Sequence, residues 1–147
     1  MSRKEVAKNL FLSGYNCAQA VVLAFKDELN ESEGTLLKVA SSFGGGLGRL
    51  REVCGAVSGM AIVLGLKYGN PTRYFSKSKA EQYRRVQEVV LAFKDKNGSY
   101  ICRELIGEKP NGFIPEERTE AYYTQRPCVE LVGDAAEILD NYIKKQK

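Results

Sequence analysis

Residues 53–66 read VCGAVSGMAIVLGL, fourteen positions without a charge, and Gly55 and Gly59 stand four apart within them. A helix that crosses a bilayer needs about 20 apolar residues, so this run predicts a buried helix and no membrane span. Glycine inside a helix costs about 1 kcal/mol relative to alanine. Two glycines on one face therefore imply that something packs closely against it. Ala56 and Ser58 widen the flat patch, and small residues at this spacing let two helix backbones approach each other. A matching patch occurs in CAQA, with Cys17, Ala18 and Ala20. Packing these two helices together brings Cys17 near Cys54. The competing reading is a tight core contact without chemistry.

Apolar spacing is helical along nearly the whole chain. Val6, Leu10 and Phe11 predict a short first helix closed by Ser13-Gly14. Asn16 suits an N-cap, and Ala18, Val21, Val22 and Phe25 form one stripe behind it. A third helix opens at Ser32 and carries Leu36, Leu37 and Val39 to about Ser42. The glycine-dense FGGGLGRLRE follows, then the opening segment as a fourth helix stopped by Gly69-Asn70-Pro71. The longest periodic stretch, from Ser76 to about Lys96, points Tyr83, Val86, Val90 and Phe93 inward and ends at Asn97-Gly98. Ser99 is expected to cap a short helix holding Cys102 and Leu105. GEKPNGFIPEERT, residues 107–119, holds two of the four prolines and reads as an extended loop. A last helix starts at Pro127, a favoured first-turn residue, and runs through Leu131, Ala135, Ile138 and Tyr142. With no alternating runs, repeats or linkers, the expectation is an all-α, compact single-domain bundle of about six to eight helices spanning residues 1–147.

Composition narrows function mainly by exclusion. The 147 residues carry 22 basic and 18 acidic side chains, a net charge of +4. Between Lys77 and Lys96 the basic residues alternate with Glu81, Glu88 and Asp95, which reads as a solvated helix face and gives no nucleic-acid footprint. The N-terminal MSRKEVAKNLFLSGYN carries charge and no apolar run long enough for the core of a signal peptide, so the expected location is cytoplasmic. Histidine is absent. Its absence excludes Ser-His and Cys-His nucleophile pairs, histidine-ligated zinc and a Cys-x-x-Cys-His haem attachment. Any general base is then a carboxylate, lysine, tyrosine or thiolate.

The four cysteines carry the remaining signal, because structural disulfides are not expected in a cytoplasmic chain. Cys17 follows Asn16, Cys54 follows the glycine loop, Cys102 lies three past Ser99, and Cys128 follows Pro127. All four fall in or near the first turn of an expected helix. Unpaired N–H groups and the positive end of the helix dipole favour a thiolate there. Free cysteines also pack as small buried hydrophobes, the competing reading. Separations of 37, 48 and 26 positions include no Cys-x-x-Cys, unlike thioredoxin-type motifs or common zinc and ferredoxin ligand patterns. The GGGLGR loop could cradle an anion with its N–H groups and Arg49 or Arg51. It lacks the lysine-hydroxyl end of a P-loop, and a sharp turn that delivers Cys54 is the stronger reading. Glu52 and Glu104 neighbour cysteines but are assigned no catalytic role.

In this order, Cys17 in GYNCAQAV, then CGAVSG at 54–59, then Cys102 and Cys128, the chain resembles the redox-active proteins named for a C–GCAxxG–C–C pattern. The central motif is matched as Cys54-Gly55-Ala56-x-x-Gly59, with the cysteine before Gly55, and the likeness covers essentially the whole chain. The family is similar in part to split-Soret cytochromes c, which bind haem. This chain lacks the haem-attachment motif and any histidine ligand, so no covalent haem is implied. The resemblance implies functional cysteines without naming a reaction or a redox partner.

Three readings follow. In the first, Cys17, Cys54, Cys102 and Cys128 converge at least partly into a thiol redox site, with Cys17 and Cys54 the preferred pair and Gly55 and Gly59 the close-packing residues beside it. In the second, the same thiolates hold an iron–sulfur cluster or another metal. In the third, the chain is a helical interaction module, a homodimer, whose cysteines only pack; exposed Phe113, Tyr122 and Tyr123 would suit it.

Overall fold

The computed structural model describes residues 1–73 and 76–146. Among these residues it contains eight α-helices: α1 (Arg3–Leu12), α2 (Cys17–Leu23), α3 (Glu33–Ala40), α4 (Gly55–Tyr68), α5 (Ser76–Asn97), α6 (Cys102–Ile106), α7 (Glu120–Gln125) and α8 (Cys128–Lys145). Single 3-10 turns lie at Lys26–Glu28 and Ser41–Phe43. No strand is formed among the described residues; one isolated antiparallel bridge joins Val53 and Ile101. The fold is all-α, as the apolar periodicity predicts.

Local chemistry sets the helix starts. Ser2 and Asn16 each form a reciprocal capping box, the second through Gln19 N–H to Asn16 Oδ1 at 2.8 Å and Asn16 N–H to Gln19 Oε1 at 3.1 Å. Ser32 caps α3 by accepting from Thr35 N–H. Asn16 also donates from its side chain to the Ser41 carbonyl, which ties the start of α2 to the end of α3.

α2 lies at the centre, packed against α1, α3, α4 and α8. Ala18, Ala20, Val21, Val22 and Leu23 are all buried, so this short helix is covered on nearly every side. α8 contributes Leu131, Val132, Ala135, Ala136, Leu139 and Ile143 to the same core, and α5 closes one flank with Val89 and Phe93. The small-residue patches of α2 and α4 do meet. A Cβ on Gly59 would sit 2.9 Å from Val21 Cβ and 3.1 Å from the Ala18 carbonyl. One on Gly55 would sit 2.8 Å from the Phe43 carbonyl and 3.1 Å from Cys17 Cβ.

Four local expectations need correction. Tyr83 and Val39 point outward, 63% and 43% exposed, because α5 and α3 each bury a narrower stripe than their spacing implies. Ser99 does not cap α6, which starts at Cys102 behind Ile101. Its hydroxyl instead accepts from Ile101 N–H at 3.0 Å and pairs with Glu104 at 2.5 Å, forming a side-chain turn. α7, capped by Thr119, is a helix absent from the sequence reading.

Candidate thiol site

Cys17, Cys102 and Cys128 are the first residues of α2, α6 and α8, and Cys54 is the N-cap of α4. All four line one cavity of about 380 Å³. Two backbone devices assemble it. The first is a turn from Gly44 to Arg51 in which Gly45, Gly46, Leu47, Gly48, Arg49 and Arg51 all have positive φ, between 55° and 74°. For a non-glycine residue the left-handed conformation costs about 1–2 kcal/mol, so Leu47, Arg49 and Arg51 concentrate strain beside the thiols. Hydrogen bonds close the turn, from Gly48 N–H to Ser42 at 2.9 Å and from Glu52 N–H to Gly46 at 2.9 Å. Gly46 admits no side chain, since a Cβ would lie 2.7 Å from Cys102 Cβ.

The second device is a short antiparallel pairing of residues 51–54 with 100–103. Cys54 N–H donates to Tyr100 at 2.9 Å, Cys102 N–H to Glu52 at 2.6 Å, and Arg103 N–H to Arg51 at 3.2 Å. The pairing holds Cys54 and Cys102 on adjacent backbones although 48 positions separate them. It consumes their N–H groups without a sheet, which is why no alternating pattern marks it.

The four thiols are not equivalent. The Cys17 sulfur accepts a hydrogen bond from the Cys128 thiol, and Arg118 and the N–H groups of Cys17 and Gly45 add to that pull against burial; its pKa is lowered to about 7. Cys128 moves strongly upward, because its proton is held in the bond to Cys17 and burial disfavours its charge. Burial, then the neighbouring Cys17 charge, pushes the Cys54 thiol up to about 12, while the N–H groups of Ala56 and Val57 pull the other way. Burial also raises Cys102, against the opposing Arg51. The expectation that helix starts favour all four thiolates is thus met at Cys17 alone. At Cys54 and Cys102 loss of water outweighs the helix end, and at Cys128 the bond to Cys17 together with burial does so.

Four arginines ring the thiols: Arg49, Arg51, Arg118 and Arg126. Arg49 donates to the carbonyls of Asn111 and Gly112 at 3.2 and 3.1 Å and to Glu116 at 2.6 Å. Arg126 donates to Glu108 at 2.5 Å and to Glu116 at 3.2 Å, and its guanidinium lies 4.7 Å from the centre of the Tyr122 ring. Arg118 donates to the carbonyls of Phe11 and Tyr15 at 2.5 and 2.8 Å and stacks 4.1 Å from the Phe11 ring centre. These contacts hold the 107–119 segment across the cavity. Burial opposes the Glu116 carboxylate, yet its own N–H and Arg126, Arg49 and Arg51 keep its pKa below the usual range.

Of the residues singled out in the sequence, Arg49 and Arg51 belong to this site, while Glu52 pairs with Arg103 at 3.0 Å and Glu104 with Ser99. Tyr122 and Tyr123 are half-buried and packed edge to face, and Phe113 is 82% exposed. Sequence reasoning missed Arg118, Arg126, Glu108 and Glu116. The charge density of residues 107–119 was the one available signal. Among the described residues, no three Cys, Asp or Glu side chains are grouped so as to hold a metal ion, and no helix is long and apolar enough to cross a membrane. The four thiols thus share a cavity without forming a ligand shell.

A family profile described as putative redox-active protein (C_GCAxxG_C_C) matches residues 15–142. The chain belongs to this family. The match begins just before Cys17 and takes in every cysteine and every arginine of the cavity, so the family's redox description applies to the segment that builds the site. No curated protein and no solved structure matches the chain.

Proposed function

We propose that this protein exchanges thiols with disulfides, with Cys17 as the attacking thiolate and Cys128 as the resolving thiol. One arrangement carries the reading: Cys17 and Cys128, the first residues of α2 and α8, share the wall of one cavity with Arg118 and Gly45, and Cys128 is the largest of the influences that lower the Cys17 pKa. A thiol with a pKa near ambient pH is the best attacker, being substantially ionised while still nucleophilic. Its hydrogen-bond partner is already in place to displace the bound group afterwards. Both residues are partly exposed, whereas Cys54 and Cys102 are buried. Small-residue packing alone favours Cys17 with Cys54; the burial of Cys54 makes it the weaker partner for a mixed disulfide that opens onto the cavity.

The test is equilibration of the reduced protein in thiol–disulfide buffers, followed by intact mass measurement. The expected result is reversible loss of two hydrogens per chain, kept in Cys54→Ser and Cys102→Ser and abolished in Cys17→Ser and Cys128→Ser. Retention of that loss in Cys128→Ser, with its disappearance in Cys54→Ser, would reassign the pair to Cys17 and Cys54. Its absence from the unaltered protein would end the reading.

A further inference from the structure

Arg49, Arg51 and Arg126 share the carboxylates of Glu108 and Glu116, and Arg51 is the one left without a proper partner. Its side chain is only 4% exposed. Its Nη2 stands 3.6 Å from Glu116 and 3.9 Å from Glu108, both already engaged by shorter bonds from Arg49 and Arg126. Its Nε–H is the one buried side-chain polar atom with no acceptor among the described residues. The one hydrogen bond its side chain makes among the described residues is the long contact from Nη1 to the Cys102 sulfur, at 3.9 Å. A buried guanidinium so poorly served is costly, and a planar carboxylate is the group whose geometry matches it.

The charge around the cavity agrees. Arg118 donates only to neutral carbonyls, so four guanidiniums face two carboxylates and, when ionised, the Cys17 thiolate. One positive charge remains to attract an anion, and a planar carboxylate matches the guanidinium fork. The volume of about 380 Å³ lies at the small end of ligand sites, which run from about 300 to 1,000 Å³.

We propose that Arg51 is the anion subsite of the thiol cavity, and that the disulfide the protein acts on is a small molecule with a carboxylate near its sulfur–sulfur bond. This assignment rests on the thiol–disulfide reading for its chemistry, though not for the anion site itself. The Cys17 thiolate attacks one sulfur of RS–SR, forming Cys17–S–S–R and expelling RS⁻. The Cys128 proton passes to that thiolate, and the Cys128 sulfur attacks the Cys17 sulfur, expelling a second RS⁻. The products are one Cys17–Cys128 disulfide, one RSH and one RS⁻; two electrons pass from protein to substrate.

Two measurements test the proposal on the full chain. In the first, reduced protein is mixed anaerobically with 3,3′-dithiodipropionate or with the neutral bis(2-hydroxyethyl) disulfide. The anionic disulfide is expected to react about tenfold faster at low ionic strength, with the advantage shrinking as salt is added. In Arg51→Gln the ratio of the two rates should fall to about one, and Arg51→Lys should recover part of it. In the second, glutarate is titrated calorimetrically into a Cys17→Ser/Cys128→Ser variant; saturable binding is expected and should vanish when Arg51→Gln is added. Should Arg51→Gln fail to fold by circular dichroism, the rate ratio of the unaltered protein and glutarate binding decide the matter. Equal rates with both disulfides and no glutarate binding would overturn the subsite. Glutarate binding with no oxidation by either disulfide would leave the subsite standing and sink the exchange chemistry instead.

Discussion

Cys17 differs from the other cysteines through its acceptors and donors, since all four sit at helix starts. The Cys128 thiol, Arg118 and the Gly45 N–H converge on its sulfur and together outweigh burial. Removing the Cys128 donor should therefore raise the Cys17 pKa. In Cys128→Ala, the pH midpoint for alkylation of Cys17 is expected to move up from near 7 by about one unit, a shift that corresponds to roughly 1.4 kcal/mol of lost anion stabilisation. The sign follows from the thiolate being the form stabilised by the bond. A midpoint that stays put would place the cause of the low pKa in Arg118 and the amides alone.

At the level of helices, α4 offers an internal comparison. A Cβ on Gly59 would meet Val21 Cβ and the Ala18 carbonyl, atoms held by α2, whereas one on Gly65 would meet nothing within 4 Å. Gly59→Ala should destabilise the protein by about 1–3 kcal/mol through overpacking. Gly65→Ala, on an exposed turn of the same helix, should stabilise it by up to about 1 kcal/mol through helix propensity. Chemical denaturation of the two variants checks both signs. The α2–α4 contact and the starts of α2 and α8 at Cys17 and Cys128 were legible because glycine spacing, the Asn16 cap and the backbone preference of Pro127 act within a few residues. The pairing of 51–54 with 100–103 was not, since two backbones meeting over four residues leave no side-chain period. α7 was hidden for a related reason: Thr119 caps it, yet it is only six residues long and follows a proline-containing loop.

Across the whole molecule, the cavity is assembled from the starts of α2, α4, α6 and α8, the left-handed turn and the 107–119 segment. The arginine ring was illegible for this reason: Arg118 and Arg126 join the cysteines in one cavity only when α8 is docked on α1 and α2. A Cys17–Cys128 disulfide would link α2 to α8 across most of the sequence, and closing so long a loop restricts the unfolded chain most. The oxidised protein is expected to be more stable than the reduced one by up to about 4 kcal/mol, read as a higher melting temperature that reductant reverses. An oxidised form that melts lower would mean the bond distorts the helix starts it joins.

The most direct test of the account is residue-resolved alkylation of the reduced protein across pH, with each of the four cysteines followed by peptide mass spectrometry. Cys17 should label first, with a midpoint near 7, while Cys54, Cys102 and Cys128 label slowly through neutrality. Four cysteines labelling alike, or a Cys17 midpoint at the ordinary thiol value of about 8.5, would contradict the existence of a single poised thiolate.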